Sequence, residues 1–219
     1  MGRYPKKDDN YIEFPRTERL DLRRKRSDRT RSNILNSALR CFANAGYSAT
    51  SIQDIVDDAE YTKPTLYYYF SSKSDLFTAL TLHALDEHRA TLEKEFQATN
   101  DLKEALINII LKLSKEAHSK TSLTRLIISS FFSADKEIPC KKKFIEESSR
   151  IIDIYTAFIE KKLNEGSLQS SFPLEMIVRT VYSWINSILV DQLMYNKPAI
   201  TRNDADTLLT IILMGIQNR

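Results

Sequence analysis

Apolar residues recur every three to four positions along most of this chain, in blocks that polar residues, Gly and Pro interrupt. From about Arg29, the stripe Ile34, Ala38, Cys41/Phe42 and Ala45 predicts a helix that Gly46 stops. Two short patterns follow, Ile52/Ile55/Val56/Ala59 and Leu66/Phe70, then a long one from Ser72 to about Phe96. Further helices are predicted over about Leu102–His118, Leu123–Ala134, Lys142–Asn164 (ended by Gly166), Leu174–Tyr195 (ended near Pro198) and Ala205–Ile216. Residues 1–27 are polar, lack periodicity and hold Pro5 and Pro15, which predicts a mobile arm. The expected architecture is all-α with about nine helices: an arm over 1–27, a small three-helix head over 28–75 and a larger helical body over 76–219.

Composition changes this picture little, and charge changes it locally. With 219 residues the chain can bury a sizeable core, and four glycines argue against β-architecture. The net charge of +3 diagnoses nothing, but residues 1–49 hold twelve Lys or Arg against six acids. Residues 50–76 reverse that balance, with Lys63 and Lys73 against Asp54, Asp57, Asp58, Glu60 and Asp75. Attraction to a polyanion would therefore come from the arginine-rich stretch, with Arg24, Arg26 and Arg29 as its candidates. Two cysteines, Cys41 and Cys140, form no disulfide framework, and no apolar run is long enough to span a membrane. A reducing cytoplasm is the expected location.

The densest chemistry lies between Ala49 and Phe77. Ser51-Ile52-Gln53-Asp54 reads as a capping box opening the first short helix. Glu60-Tyr61 makes a turn, Thr62 can cap the second short helix, and Pro64 falls in its first turn, where a missing N–H costs nothing. In that helix Leu66 and Phe70 share the buried side, leaving Lys63, Thr65, Tyr67 and Tyr68 outward. Three consecutive tyrosines cannot all face inward on one short helix. A second box, Ser72-Lys73-Ser74-Asp75, opens the long helix. Hydroxyls, an ammonium and free backbone N–H groups converge on two helix starts, an arrangement suited to phosphate oxygens.

The pattern Thr50-Ser51-Ile52-x-Asp54-Ile55-x-x-x-Ala59-x-Tyr61-Thr62-Lys63-x-Thr65-Leu66-Tyr67-x-Tyr69-Phe70-x-Ser72-Lys73-x-x-Leu76 closely resembles the DNA-binding head of TetR (tetracycline-repressor-like) transcriptional regulators. The resemblance covers about residues 29–77; the rest is similar in architecture alone. It implies a homodimer on a palindromic operator, each subunit placing one helix in a major groove. By position, Thr62, Lys63, Pro64, Thr65, Tyr67 and Tyr68 would touch bases or backbone, and Thr50, Ser51 and Lys73 would hold phosphates. Where the family usually has glycine in the turn, this chain has Glu60. A positive φ there would cost about 1–2 kcal/mol.

The resemblance also implies a body that binds a small-molecule inducer and pairs through its last two helices. Phe131, Phe132, Phe144, Tyr155, Phe158 and Tyr182 are the candidate pocket residues, with ordinary core packing as the alternative for each. Val181, Trp184, Ile188, Leu208, Leu209, Ile212 and Ile216 are the candidate dimer residues, on stripes broad enough to serve both the subunit core and a partner. His83 and His88 are five apart and point away from each other on a helix, so no metal is assigned, and no cofactor is expected. No catalytic residue is assigned either. The chain lacks a Gly-rich phosphate loop and a nucleophile elbow, and Glu146-Glu147 reads as a solvated face. A ligand-released repressor is the expectation. An inducer-independent DNA-binding protein is the alternative, and a helical enzyme a distant third.

Overall fold

The computed structural model describes residues 22–132 and 141–217, which form nine helices and no strand. These are α1 (Leu22–Ala45), α2 (Ile52–Ala59), α3 (Lys63–Tyr69), α4 (Lys73–Ala98), α5 (Leu102–Ser119), α6 (Thr121–Phe132), α7 (Lys141–Asn164), α8 (Leu174–Met194) and α9 (Arg202–Ile216). The all-α expectation holds, and the helix stops explain themselves. Gly46 and Gly166 take φ of 82° and 73°, the left-handed conformation that closes a helix and that glycine adopts without a Cβ penalty. At the end of α8, Asn196 does this (φ 49°), and the Lys197 N–H reaches back to the Gln192 carbonyl at 3.0 Å. The helix thus ends before Pro198 can act.

One expectation fails at the N-terminal side. The segment 22–27, read as the end of a mobile arm, is the first part of α1. Arginine, lysine and serine tolerate helix well, and nothing in LRRKRSDRTR interrupts it. The absence of an apolar stripe does not prevent a helix, and none of residues 26–28 is fully buried. Arg24, Arg26 and Arg29 therefore ride on a helix; the side chain of Arg24, like residues 1–21, lies outside what is described.

Among the described residues, contacts gather into two compact units, 22–84 with 119–132 and 141, and 85–118 with 142–217. Helix α4 contributes to both, changing unit after Ala84. The core of the first unit is Ile34, Leu35, Ala38, Leu39 and Phe42 from α1, Ile55 and Val56 from α2, Leu66 and Phe70, and Leu76, Phe77, Leu80 and Ala84 from α4. Leu123 and Leu126 of α6, expected in the body, belong to this same cluster. Phe42, Tyr47 and Phe77 meet edge-on or tilted at 4.9–5.6 Å between ring centres. The second unit is built on buried Leu106, Ile109 and Ile110 of α5, Ile151, Tyr155 and Ile159 of α7, Ile177, Val181 and Ile185 of α8, and Ala205, Leu209 and Leu213 of α9. One buried polar contact links its helices: Ser114 Oγ donates to Gln192 Oε1 at 2.7 Å and accepts from the Ile200 N–H at 2.9 Å.

Candidate nucleic-acid interface

Local sequence fixes the α2–turn–α3 unit. Ser51 Oγ accepts from the Asp54 N–H at 3.1 Å while the Asp54 carboxylate accepts from the Ser51 N–H at 2.7 Å, closing the capping box. These hydrogen bonds hold the Asp54 carboxyl below its ordinary range. Glu60 takes φ 56°, ψ 38°, with its own N–H on the Asp57 carbonyl (3.3 Å) and the Tyr61 N–H on the Val56 carbonyl (3.0 Å). That is a Schellman ending with glutamate in the glycine position. The turn is therefore the strained version, at a cost of about 1–2 kcal/mol. Thr62 Oγ1 then accepts from the Thr65 N–H at 3.3 Å and pairs with Thr65 Oγ1 at 2.9 Å, so both threonines begin α3.

The tyrosines separate by partner. Tyr69 turns inward, where its hydroxyl accepts from Ser27 Oγ of α1 at 3.1 Å. Tyr61 likewise accepts from Asn33 Nδ2 at 3.3 Å, and the Arg31 guanidinium lies 4.9 Å from the Phe70 ring centre. Helix α1 thus braces both ends of the turn-and-helix segment. Tyr67 and Tyr68 are left 51% and 79% exposed beside exposed Lys63 and Pro64, while Leu66 is wholly buried. Fully burying a leucine side chain stabilises by about 1.5–3 kcal/mol, enough to fix which face of so short a helix turns outward.

Two proposed phosphate holders are engaged inside the fold. Thr50 is buried, and its hydroxyl donates to the carbonyls of Gly46 (2.7 Å) and Cys41 (3.2 Å). Lys73 Nζ donates to the carbonyls of Thr50 (2.8 Å), Tyr47 (2.9 Å) and Ser48 (3.5 Å), and lies 4.4 Å from the centre of the Tyr47 ring. An ammonium has three donors and all three are engaged. Both residues tie the Tyr47–Thr50 loop to α1 and α4. The second capping box also closes differently. Ser72 Oγ accepts from the Asp75 N–H at 3.1 Å, but the Asp75 carboxylate reaches past it to the Ser71 N–H at 3.0 Å. On α1, Arg26 and Arg29 are exposed, and Arg40 pairs with Asp58 of α2 at 2.6 Å. The Cys41 thiol, pushed up to about 11 chiefly by burial, is partly buried and packs against the core of the first unit.

In the second unit the pocket candidates divide. Phe144 is buried; Phe131 and Phe132 have side chains outside those described. Tyr155, Phe158 and Tyr182 come together, joined by Phe96 of α4, which the sequence reading passed over. Phe96 stacks on Phe158 at 4.1 Å and meets Tyr155 edge-on at 5.6 Å, and Tyr155 meets Tyr182 at 5.8 Å. The spacing Leu92–Phe96 on α4 was the signal that could have found it. Of the dimer candidates, Val181, Leu209 and Ile216 are buried within the chain, because the inner side of each broad stripe packs there first. Trp184, Ile188, Leu208 and Ile212 are half-exposed, and Met176, Met194, Ile211 and Met214 are exposed apolar residues on the same two helices. No group of three or more His, Cys, Asp or Glu able to hold a metal occurs among the described residues. None of the described helices is long and apolar enough to cross a membrane.

Two short capped helices, one buried on its Leu66 face and bare on the other, define a helix-turn-helix head. Residues 34–80 match the family described as bacterial regulatory proteins, tetR family. Over that segment the chain is similar to the TetR family. The transcriptional repressor NicS of Pseudomonas putida is 36% identical over 67 residues, 31% of this chain and 32% of that protein. The match thus spans about a third of that curated relative's length. In fold the likeness runs further. The TetR-family regulator PfmR of Thermus thermophilus superposes with a TM-score of 0.69 at 24% identity, over 86% of this chain and 98% of that one. The regulator FadR of Bacillus subtilis, solved with stearoyl-CoA, gives 0.68 at 17% identity, over 83% and 95%.

Proposed function

We propose that this chain is a transcriptional repressor that binds an inverted-repeat DNA operator as a homodimer and is released by a small-molecule inducer. The observation that carries the reading is the outward face of α3. Lys63, Pro64, Tyr67 and Tyr68 are exposed on a helix whose Leu66 side is locked into the head, and α1 braces that helix through Ser27–Tyr69. In this role α3 enters the major groove. Lys63, Tyr67 and Tyr68 meet base edges and phosphates, while Ser51, Thr62 and the exposed Arg26 and Arg29 touch backbone. Thr50 and Lys73 act through the loop they hold.

The partly exposed apolar residues of α8 and α9 (Trp184, Ile188, Leu208, Ile211, Ile212 and Met214) pair with a second copy. Ligand enters the second unit among Phe96, Tyr155, Phe158 and Tyr182. Helix α4 runs through both units, so a ligand that shifts its second half changes the separation of the paired heads, given a differential affinity of a few kcal/mol between the two states. Stearoyl-CoA in the FadR structure supports a ligand-binding body as a reading for this fold.

Selection from a random duplex library tests the DNA half of this reading. It should recover an inverted repeat with half-sites about 34–36 Å apart or a multiple, and a compound screen for release of that duplex then tests the inducer half. Recovery of no sequence preference would remove the operator, and leave non-specific binding.

A further inference from the structure

The aromatic cluster of the second unit contains a polar group with nothing to bind. Tyr155 is wholly buried, its ring held between Phe96 and Tyr182. Its hydroxyl has no hydrogen-bond partner. Native interiors pair nearly all such groups, so one unpaired by the protein itself calls for an explanation. An ordered water typically bonds two to four polar groups, and of the two rings that meet Tyr155 here Phe96 supplies none and Tyr182 a single hydroxyl. Burial, reinforced by Tyr182, holds the phenol protonated far above its ordinary range, so the group remains a donor.

The ammonium that lies against this cluster is already committed. Lys162 lies with its ammonium 5.1 Å from the Phe158 ring centre and is almost fully buried, but it donates to Asn100 and, at 2.9 Å, to the Glu165 carboxylate. His88, on the helix that carries Phe96, is kept neutral by burial, down to about 4, and its Nε2 also lacks a partner. The ammonium shown beside these rings is therefore not free to meet an anionic group, and an unpaired buried anion is strongly disfavoured.

We infer that the Tyr155 hydroxyl is the hydrogen-bond donor of a site for a neutral, ring-bearing molecule with a carbonyl oxygen. The ligand's rings stack with Phe96, Phe158 and Tyr182, and its carbonyl accepts from Tyr155. This deepens the ligand-sensing reading above and rests on it. It differs from an acyl-CoA site, whose ligand carries several negative charges.

The test uses the full chain, wild type and Tyr155→Phe, with four probes of graded chemistry: 2-acetonaphthone, naphthalene, 2-naphthoate and stearoyl-CoA. The ketone should raise the melting temperature of the wild type most, and its Kd should weaken about three- to tenfold in Tyr155→Phe, as for loss of one neutral hydrogen bond. Naphthalene should bind both proteins equally, and the carbonyl stretch of bound ketone should be lowered in frequency only in the wild type. The unliganded variant should melt no lower than the wild type, because no bond is lost. A lower melting temperature for unliganded Tyr155→Phe would assign the hydroxyl to a bound water and overturn the proposal. So would 2-naphthoate binding as tightly as the ketone, or an unchanged ketone Kd in the variant. Response to stearoyl-CoA alone would overturn it while leaving a ligand-sensing body in place. Silence from all four probes would also overturn it, and ligand sensing itself is then judged by the duplex-release screen.

Discussion

The helix-turn-helix and the body solve the same problem, fixing helices by burying one face, with different kinds of information. In the head, α2 and α3 are eight and seven residues long. Each is set by neighbours three or four positions away: Ser51 with Asp54, Glu60 with Asp57, Thr62 with Thr65. In the body, position is set by partners far along the chain, such as Ser114 with Gln192 or Glu104 with Arg202. The difference shows why a binding face can be read from thirty residues and a ligand site cannot. The head is nevertheless not purely local, because Leu123 and Leu126 of α6 complete its core.

The largest expected effect tests that division inside α3 itself. Leu66→Ala removes a wholly buried side chain from the helix that should read DNA. It should cost about 2–5 kcal/mol of stability, seen as a lower urea midpoint, and abolish DNA binding with it. A stability loss under about 1 kcal/mol would mean that α3 is held by something other than its buried face.

Lys73→Met sharpens the comparison next. If its ammonium ties the Tyr47–Thr50 loop, the loss leaves carbonyls without their charged donor and costs about 1.5–3 kcal/mol. A pure phosphate contact would leave stability unchanged and weaken only DNA binding. Thermal melting without DNA separates the two outcomes.

His88 carries the comparison to the body through pH. Its folded value, lowered to about 4 by burial, lies below the ordinary 6.5. Between these values the unfolded chain binds more protons than the folded one, so this residue's contribution to stability is complete above about pH 6.5. It declines as pH falls towards 4, with a slope of at most about 1.4 kcal/mol per pH unit. His88→Phe should flatten that part of the stability–pH curve. An unaltered curve would show that His88 is not shielded.

The smallest effect concerns the turn. Glu60→Gly should relieve the positive φ and raise stability by about 1 kcal/mol, or several degrees in melting temperature. A lower melting temperature would mean that the glutamate side chain contributes more than its backbone strain costs.

Much of the head was legible because capping boxes, Pro64 in a first turn and the Leu66–Phe70 spacing are local signals with one reading. Periodicity predicted the later helices for the same reason. What the sequence could not show was which polar groups had already found partners. Thr50 and Lys73 look available in a linear reading, and only the folded loop reveals the carbonyls that occupy them. The start of α1 was missed because an apolar stripe signals burial, and the helix begins at Leu22 while none of residues 26–31 is fully buried. Phe96 and the orphaned Tyr155 hydroxyl depend on pairing between α4, α7 and α8, which spacing along one helix does not encode.

The most direct measurement compares wild type with Tyr67→Ala/Tyr68→Ala in the random-duplex selection, alongside melting curves of both proteins. The two rings are exposed, so melting should agree to within about 0.5 kcal/mol. The wild type should enrich an inverted repeat, and the variant should enrich none. Equal enrichment of the same repeat by both proteins would contradict the assignment of α3 as the DNA-reading helix.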